Sequence, residues 1–373
     1  MQRHLCHPCQ RTYSERSALL VRGSWYAREI HRCGIDQVQH CGCSLRKAAE
    51  WVRSFIGRQE RWLRWRPLDS EPADELQCHL SASTLCRWMA RAGEAAKASV
   101  PGQLEGAVCS GQVGTDGLWG KLLGGATRVV LMLTDTVSGL VWPPVVAKGE
   151  SSERGWGEMF QRAEEAGLDV DGLRGMVSDG ATGLVAYLSH KLEWVNHQMC
   201  VFHKWRGLRG EFAKAEAEAG IGLAGEAAKK VCEQVRKELA SLVHGVMDAG
   251  SETEALAALA KLSAHSLGAG LAGKLGAAVD GVLVHLLRYN QGIVRVAPEW
   301  NWRSYRQRLS RGRNHRTDEC LETASLVWAI YHNFEPRQWR SERKRTYERR
   351  GQSPLEMAGL AAGRASYLDA LGV

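Results

Sequence analysis

One stretch of the chain, from Val113 to Phe202, limits the folds open to it, because short strand-like and helix-like segments follow one another there in a fixed order. Its first part holds three runs of apolar and β-branched residues, separated by Gly124-Gly125 and by the turn-forming segment 135–139. This spacing predicts three consecutive antiparallel strands. The predicted strands cover residues 113–119, 127–133 and 140–146.

Helical and strand-like segments alternate in the second part of this stretch. The predicted order continues with a helix at 152–166, a strand at 173–177, a helix at 181–190 and a strand at 194–202. Ser151 or Ser152 is suited to cap the first of these helices. Three strands, helix, strand, helix, strand is the order of an RNase H-like fold, so the sequence predicts an α/β protein built on that fold.

The strand signal ends after this stretch. Residues from Arg206 to about Asn290 are rich in Ala, Leu, Glu, Lys and Gly at helical spacing, which predicts an all-helical insertion. A last helix is predicted from about Thr317, with Leu321, Ala324 and Val327 on or beside one apolar face.

Two cysteines near the start have the spacing of half a zinc ribbon. Cys6 and Cys9 form a Cys-x-x-Cys knuckle, but two thiolates do not complete the tetrahedral site that Zn²⁺ prefers. Either a second pair lies before Met1, or residues further along the chain supply the other ligands. Those candidates are Cys33, Cys41, Cys43 or a nearby His. The alternative is a remnant knuckle that binds no metal.

A basic helical region follows the knuckle and resembles a DNA-binding module. A first helix from Ser44 carries Arg46 and Lys47 beside an apolar stripe. A second helix begins near Leu80, with Ser81 or Ser83 as its cap. Its exposed residues would be those that a recognition helix presents to a major groove, namely Thr84, Arg87 and Arg91. We therefore predict a helix-turn-helix, the alternative being an ordinary pair of basic helices with solvated arginines.

The predicted fold class is therefore α/β, with an RNase H-like catalytic domain that carries an all-helical insertion and is preceded by a partial zinc ribbon and a helix-turn-helix region. A segment from Gly93 to Gly111, rich in Gly, Ala, Ser and Glu, predicts a linker between the two halves. The predicted units are a knuckle at 1–32, a DNA-binding region at 33–95, the first part of the core at 108–205, the insertion at 206–300, and the last helix with a basic tail at 301–373.

An excess of positive charge favours a polyanionic partner. Lys and Arg number 49 against 41 Asp and Glu, a formal net charge of +8 and a pI near 9.0, and nucleic acid is the commonest partner of such a chain. The start MQRHLCHPCQ has no signal-peptide core, and no apolar run approaches the length of a membrane span. We therefore expect a cytoplasmic, nucleoid-associated protein with no membrane partner.

Two aspartates stand where the predicted strands would bring metal ligands together. Phosphodiester cleavage without a covalent intermediate requires divalent cations, and hard cations of this kind require carboxylates. Asp116 lies on the first predicted strand, where the alternative is a turn aspartate, and Asp179 follows the fourth, where the alternative is a helix N-cap. The two residues together predict a site for two Mg²⁺ ions, or for Mn²⁺ in their place.

The last helix supplies a third carboxylate. Asp318 and Glu319 suit the positive end of the helix dipole, which leaves Glu322, one turn further in, with the least structural reason to be acidic. Glu319 and Glu322 are three residues apart and lie on nearly the same helical face, so Glu319 is the alternative third ligand. Basic residues precede this helix and suit DNA contacts, among them Arg306, Arg311, Arg313 and Arg316.

Several of these motifs occur together in one known family. The knuckle, the helix-turn-helix, the Val-Ser-Asp179-Gly segment, Cys200-x-x-His203 and Arg316-Thr317-x-x-x-Leu321-Glu322 resemble bacterial insertion-sequence transposases of the Mutator-related type. The resemblance covers nearly the whole chain. That family usually has Asn where this chain has Asp318 and Glu319, so the choice between Glu319 and Glu322 stays open.

The resemblance implies a DNA transposase that binds the inverted repeats at the ends of its element, cleaves double-stranded DNA with metal ions, and transfers the freed strand, as a homo-oligomer on DNA. Two alternatives are an RNase H-like nuclease or resolvase that only hydrolyses, and a zinc-ribbon and helix-turn-helix regulator without catalysis. Cys200 and His203 are predicted at the end of the fifth strand as supports of the carboxylates rather than as a closed zinc site, the alternative being a buried cysteine and a satisfied histidine.

Overall fold

The computed structural model describes residues 3–6, 11–14, 26, 28–63, 80–287, 305–306, 315–336, 351–360 and 366–372. Cys9, Arg311 and Arg313 lie outside the described residues, and of Cys6 only the backbone is described. The described part is a mixed α/β structure. No helix in these residue ranges is long and apolar enough to cross a membrane.

Within the described residues, seven strands form two separate sheets. A small hairpin pairs β1 (Arg3–Cys6) with β2 (Arg11–Ser14), so that Cys6 ends the first strand opposite Arg11. The large sheet has the order β5-β4-β3-β6-β7. Its strands are β3 (Gln112–Lys121), β4 (Thr127–Asp135), β5 (Val145–Ala147), β6 (Gly175–Ser178) and β7 (Asn196–Met199).

The large sheet is mixed. Strand β3 pairs antiparallel with β4, and β4 pairs antiparallel with β5, whereas β6 runs parallel to β3 and β7 parallel to β6. Strands β3, β5, β6 and β7 therefore all run in one direction, and their carboxyl ends meet at one edge of the sheet. The predicted succession of three antiparallel strands, helix, strand, helix and strand is confirmed in this order.

Helices cover both faces of the sheet. The amino-terminal region holds α1 (Arg28–Gln39), α2 (Leu45–Leu63) and α3 (Ala82–Leu104), and the sheet connections hold α4 (Glu153–Glu165) and α5 (Thr182–Lys191). Ser152 caps α4 by accepting the Arg154 N–H at 3.3 Å, as predicted. The main core buries Trp142, Trp156 and Phe160 together with residues of α3, α4 and the sheet.

Helices fill the described residues from 201 to 287, where the sequence predicted helical structure from Arg206. They are α6 (Val201–Gly207), α7 (Arg209–Ala219), α8 (Gly225–Met247), α9 (Glu252–Ala264), α10 (Ala269–Gly276), α11 (Val279–Val282) and α12 (Val284–Leu287). These helices have a hydrophobic core of their own, which includes Phe212, Leu239, Val243 and Leu262.

The last long helix is α13 (Asp318–Phe334), followed by the short helices α14 (Pro354–Met357) and α15 (Tyr367–Ala370). Thr317 caps α13 by accepting the Cys320 N–H at 3.2 Å. Helix α13 buries Leu321 and Trp328 against the face of the sheet that α4 does not cover, together with Leu118 and Met132. The predicted helix from Thr317 is thus confirmed.

The linker predicted from Gly93 to Gly111 is wrong for most of its length. Helix α3 begins after Ser81, whose hydroxyl accepts the Thr84 N–H at 3.1 Å, and continues through Pro101 to Leu104. Its first half packs with α1 and α2, and its second half lies in the main core. Small residues that suggested a flexible segment, such as Ala96, are instead buried where two helices approach closely.

Two further predictions in this part of the chain need correction. Helix α1 spans residues 28–39, so the predicted boundary between 32 and 33 falls inside a helix. The predicted fifth strand ends at Met199 rather than near Phe202, because the chain turns at Cys200 into α6. Apolar residues Val201 and Phe202 extended the strand pattern, although they form the first turn of a helix.

A buried histidine in the α1–α3 contact makes folding stability depend on pH. The His31 ring is 3% exposed and stacks on Trp88 with ring centroids 3.8 Å apart. Burial, and then the charge of Arg91, lower the pKa of His31 to about 4. His31 of the unfolded chain binds a proton near pH 6.5, whereas His31 of the folded protein binds one only near pH 4. The free energy of unfolding therefore falls as the pH drops below about 6.5, and this decrease ends below about pH 4.

We expect the free energy of unfolding to fall by about 2 kcal/mol between pH 7.5 and pH 5 because of His31 alone. Urea unfolding curves of the wild type and of His31→Phe, which keeps an aromatic ring against Trp88, measure this difference. The variant should lose less stability over the same pH interval. An equal loss in both proteins would show that His31 is not the group responsible.

Candidate active site

A cleft opens at the edge of the sheet where the parallel strands end. Its volume is about 770 Å³. The acidic residues that line it are Asp116, Asp179 and Glu150, and the basic and aromatic ones are Lys121, Arg206, Arg306, His203 and Trp119. Two of the three carboxylates predicted from the sequence therefore line one cleft, with cationic side chains around them.

Asp116 lies in the middle of β3, opposite Met132 of β4, and is only 4% exposed. The alternative of a turn aspartate is excluded by this position. Its carboxylate accepts a hydrogen bond from the Arg306 guanidinium at 2.5 Å. Tyr305 holds this arginine in place, because its ring is buried against Trp328 and its hydroxyl bonds to Ser325 of α13.

Asp179 directly follows the last residue of β6. Its Oδ1 accepts the Ala181 N–H at 3.1 Å, but the N-cap of α5 is Ala181, and no side chain caps that helix. The alternative of a helix N-cap is therefore excluded too. Behind it the Ser178 hydroxyl bonds to Nε2 of His197 at 2.7 Å, and burial lowers the pKa of His197.

Glu150 is a third carboxylate of the cleft, and sequence reasoning missed it. It lies three residues after β5, and its carboxyl group occupies the space that a side chain on Gly117 would fill, since a Cβ there would lie 1.5 Å from Glu150 Oε1. Burial, and then the charges of Asp179 and Asp116, raise the pKa of Glu150 to about 7, while Trp119 and His203 act in the opposite direction. The missed signal was that β5 runs in the same direction as β3 and ends at the same edge.

The structure pairs the predicted third ligand with another partner. Glu322 accepts a hydrogen bond from Arg162 of α4 at 2.5 Å, and Arg162 also bonds Glu158 at 2.7 Å. Glu319 has a different partner, since its Oε1 lies 4.0 Å from Nζ of Lys97 on α3. Neither Glu322 nor Glu319 is among the described residues that line the cleft.

The Cys-x-x-His element is divided between two environments. Cys200 is 1% exposed, packs against Val177, and donates its backbone N–H to the Ser178 carbonyl at 2.6 Å. His203 lies one turn into α6 and lines the cleft beside Glu150 and Asp179. The position of Cys200 fits a buried thiol, whereas that of His203 fits the predicted support of the carboxylates.

The residues predicted to contact DNA lie on exposed surfaces of the amino-terminal helices and beside them. Arg46 and Lys47 are exposed in the first turn of α2, and Arg87 and Arg91 are exposed on α3. Thr84 is half-buried and accepts a hydrogen bond from Arg87 at 3.3 Å. Arg316 is exposed and lies near Cys86 of α3; burial raises the pKa of the Cys86 thiol, and the charge of Arg316 opposes that rise.

Over the residue ranges described, no three His, Cys, Asp or Glu side chains come together closely enough to form a metal site as they stand. No protein-family model matches the chain, and no curated protein matches it.

Proposed function

We propose that this protein is a DNA transposase that binds the ends of its element and catalyses metal-dependent cleavage and strand transfer. The observation that carries the proposal is that Asp116 on β3 and Asp179, directly after the adjacent parallel strand β6, line one cleft with Arg206 and Arg306. Carboxylates at such an edge hold cations, and the arginines supply positive charge for the phosphates of a DNA strand.

Strand order supports an RNase H-like core. The order β5-β4-β3-β6-β7, with only β4 running against its neighbours, is what three antiparallel strands followed by two parallel ones produce in such a core. In this arrangement the first strand lies at the centre of the sheet, so that a carboxylate on it adjoins one that follows the fourth strand. Asp116 and Asp179 have that relation.

The donor set fits Mg²⁺ or Mn²⁺. Both aspartates offer hard oxygen ligands, and the Arg306 guanidinium against Asp116 shows that the cleft accommodates positive charge at that carboxylate. Bound in pairs, such ions activate the attacking oxygen and stabilise the leaving one. The Ala181 N–H would orient the Asp179 carboxylate. The burial of Asp116 would limit the access of water to the base of the cleft.

Glu322 is the third ligand in this proposal, with Glu319 as its alternative. To reach the cleft, Glu322 would have to leave Arg162, and Arg162 would keep Glu158 as its partner. Arg162 would thus have a carboxylate partner whether Glu322 is bonded to it or lies in the cleft, so moving Glu322 would not leave the Arg162 charge unpaired.

The amino-terminal helices would bind the inverted repeats through Arg46, Lys47, Thr84, Arg87 and Arg91. Arg316 would also contact DNA, as would Arg311 and Arg313, which lie outside the described residues. Cys6 and Cys9 would hold Zn²⁺ with further ligands. Assembly as a homo-oligomer on DNA, in the nucleoid, completes the proposal.

The test uses the full chain and linear DNA that carries the sequences flanking its gene. With Mg²⁺ we expect breaks at the element ends that leave 3′-hydroxyl groups, followed by joining to a target DNA, and no breaks in EDTA. Cleavage without joining would favour a hydrolytic nuclease or resolvase. Specific binding without any cleavage would favour a regulator.

A further inference from the structure

An exposed tryptophan stands in the cleft beside the carboxylates. Trp119 lies near the carboxyl end of β3, three residues after Asp116, and 53% of it is exposed although it lines the cleft. A large aromatic ring left in water beside charged groups forgoes the stabilisation of burial, and such rings commonly serve as contact surfaces for a ligand.

Glu150 lies beside one edge of the ring. Its carboxyl group is set against the bare Cα of Gly117 and is close enough to the Trp119 indole N–H to interact with it. The neighbouring residue Leu118 lies on the opposite face of β3 and is buried in the core. Its burial fixes the strand, so the Trp119 ring cannot turn into the protein interior. A ring fixed at its edge with an open face is the form of a stacking platform.

We propose that Trp119, oriented by Glu150, stacks on an unpaired nucleobase of the DNA strand whose phosphate lies at Asp116 and Asp179. This inference rests on the proposed function and adds to it a requirement for local unpairing at the cleavage point. Lys121, Arg206 and Arg306 line the same cleft and provide the cations that hold the backbone of such a strand. Glu150 is in this account a positioning residue, not a metal ligand.

Substitution of Trp119 tests the stacking face. Binding of element-end DNA to the full chain, measured by anisotropy in Ca²⁺ so that the DNA stays intact, should weaken about tenfold to a hundredfold in Trp119→Ala and much less in Trp119→Phe. Trp194→Ala is the matched control, because Trp194 is 47% exposed and precedes β7 at the opposite edge of the sheet. Its affinity should equal that of the wild type.

Abasic DNA identifies the stacked base. If single abasic sites are moved along the strand around the cleavage point, one position should weaken binding by the wild type and have no further effect on Trp119→Ala. A general structural role of Trp119 would weaken binding equally on every DNA. That result, or equal affinities of the Trp119→Ala and Trp194→Ala proteins, would overturn the stacking role.

A matched pair at Glu150 tests its positioning role. Glu150→Gln and Glu150→Ala both remove the charge, but only Gln keeps an acceptor for the indole N–H, so Ala should bind the DNA more weakly than Gln. Loss of cleavage in Glu150→Gln with unchanged binding would instead make Glu150 a metal ligand and overturn this assignment.

If the wild type neither binds nor cuts the end DNA, the proposed function itself fails. If the wild type cuts but the Trp119 variants behave as wild type, only the stacking inference fails.

Discussion

Asp116→Asn and Asp179→Asn should each reduce Mg²⁺-dependent cleavage of element-end DNA by at least about a thousandfold, because an amide keeps the shape of the side chain but provides a poor ligand for a hard cation. Single-turnover cleavage of labelled end DNA measures the loss. Binding of the same DNA in Ca²⁺ should persist, since the cations that hold the backbone remain in place.

Asp171→Asn is the matched control for these variants. Asp171 is exposed and precedes β6, at the edge of the sheet opposite Asp179, so its variant should cleave at the wild-type rate. Cleavage by either variant at the rate of the control would exclude the substituted aspartate from the reaction.

The same assay decides between the candidate third carboxylates. We expect Glu322→Gln to lose cleavage activity as severely as the aspartate variants and to retain its DNA binding. Normal cleavage by Glu322→Gln would limit Glu322 to its ion pair with Arg162, and loss of cleavage in Glu319→Gln would then assign the role to Glu319.

Gly93→Ala should destabilise the protein by about 2–3 kcal/mol. A Cβ on Gly93 of α3 would lie 1.9 Å from Thr323 Cγ2 and 3.0 Å from the Thr323 carbonyl oxygen on α13, so the two helices would have to separate. Thermal or urea unfolding measures the change.

Two further variants make this prediction specific. Gly102 lies on the same helix with nothing within 4 Å of an added Cβ, so Gly102→Ala should be neutral or stabilising by about 0.5–1 kcal/mol. Thr323→Ser removes the methyl group nearest to the clash and should restore part of the stability lost in Gly93→Ala. Equal stabilities of Gly93→Ala and Gly102→Ala would contradict the close packing of α3 on α13.

The sheet was predictable from the sequence because its strands are bounded by strong local signals. Gly124-Gly125 and the segment 135–139 mark the turns, and Ser152 and Thr317 mark the starts of two helices. These signals depend on backbone conformation over a few residues, which a single sequence records directly. Asp116 and Asp179 were found for the same reason, since each is tied to a strand.

Features that depend on contacts between distant segments were not predictable in the same way. Gly93 and Ala96 have the composition of a linker, and only the approach of α13 explains why they are small. Glu150 follows a strand of three residues, and its relation to Asp116 depends on the direction in which that strand pairs. The ion pair of Glu322 with Arg162 joins residues 160 positions apart, and no local sequence pattern indicates this pairing.

Anomalous diffraction from crystals of the full chain soaked in Mn²⁺ tests the central claim most directly. We expect a Mn²⁺ peak about 2.1–2.2 Å from carboxylate oxygens of both Asp116 and Asp179, with the Arg306 guanidinium displaced from Asp116. Absence of a peak between the two aspartates at saturating Mn²⁺, with Arg306 still bonded to Asp116, would contradict a metal-dependent reaction in this cleft.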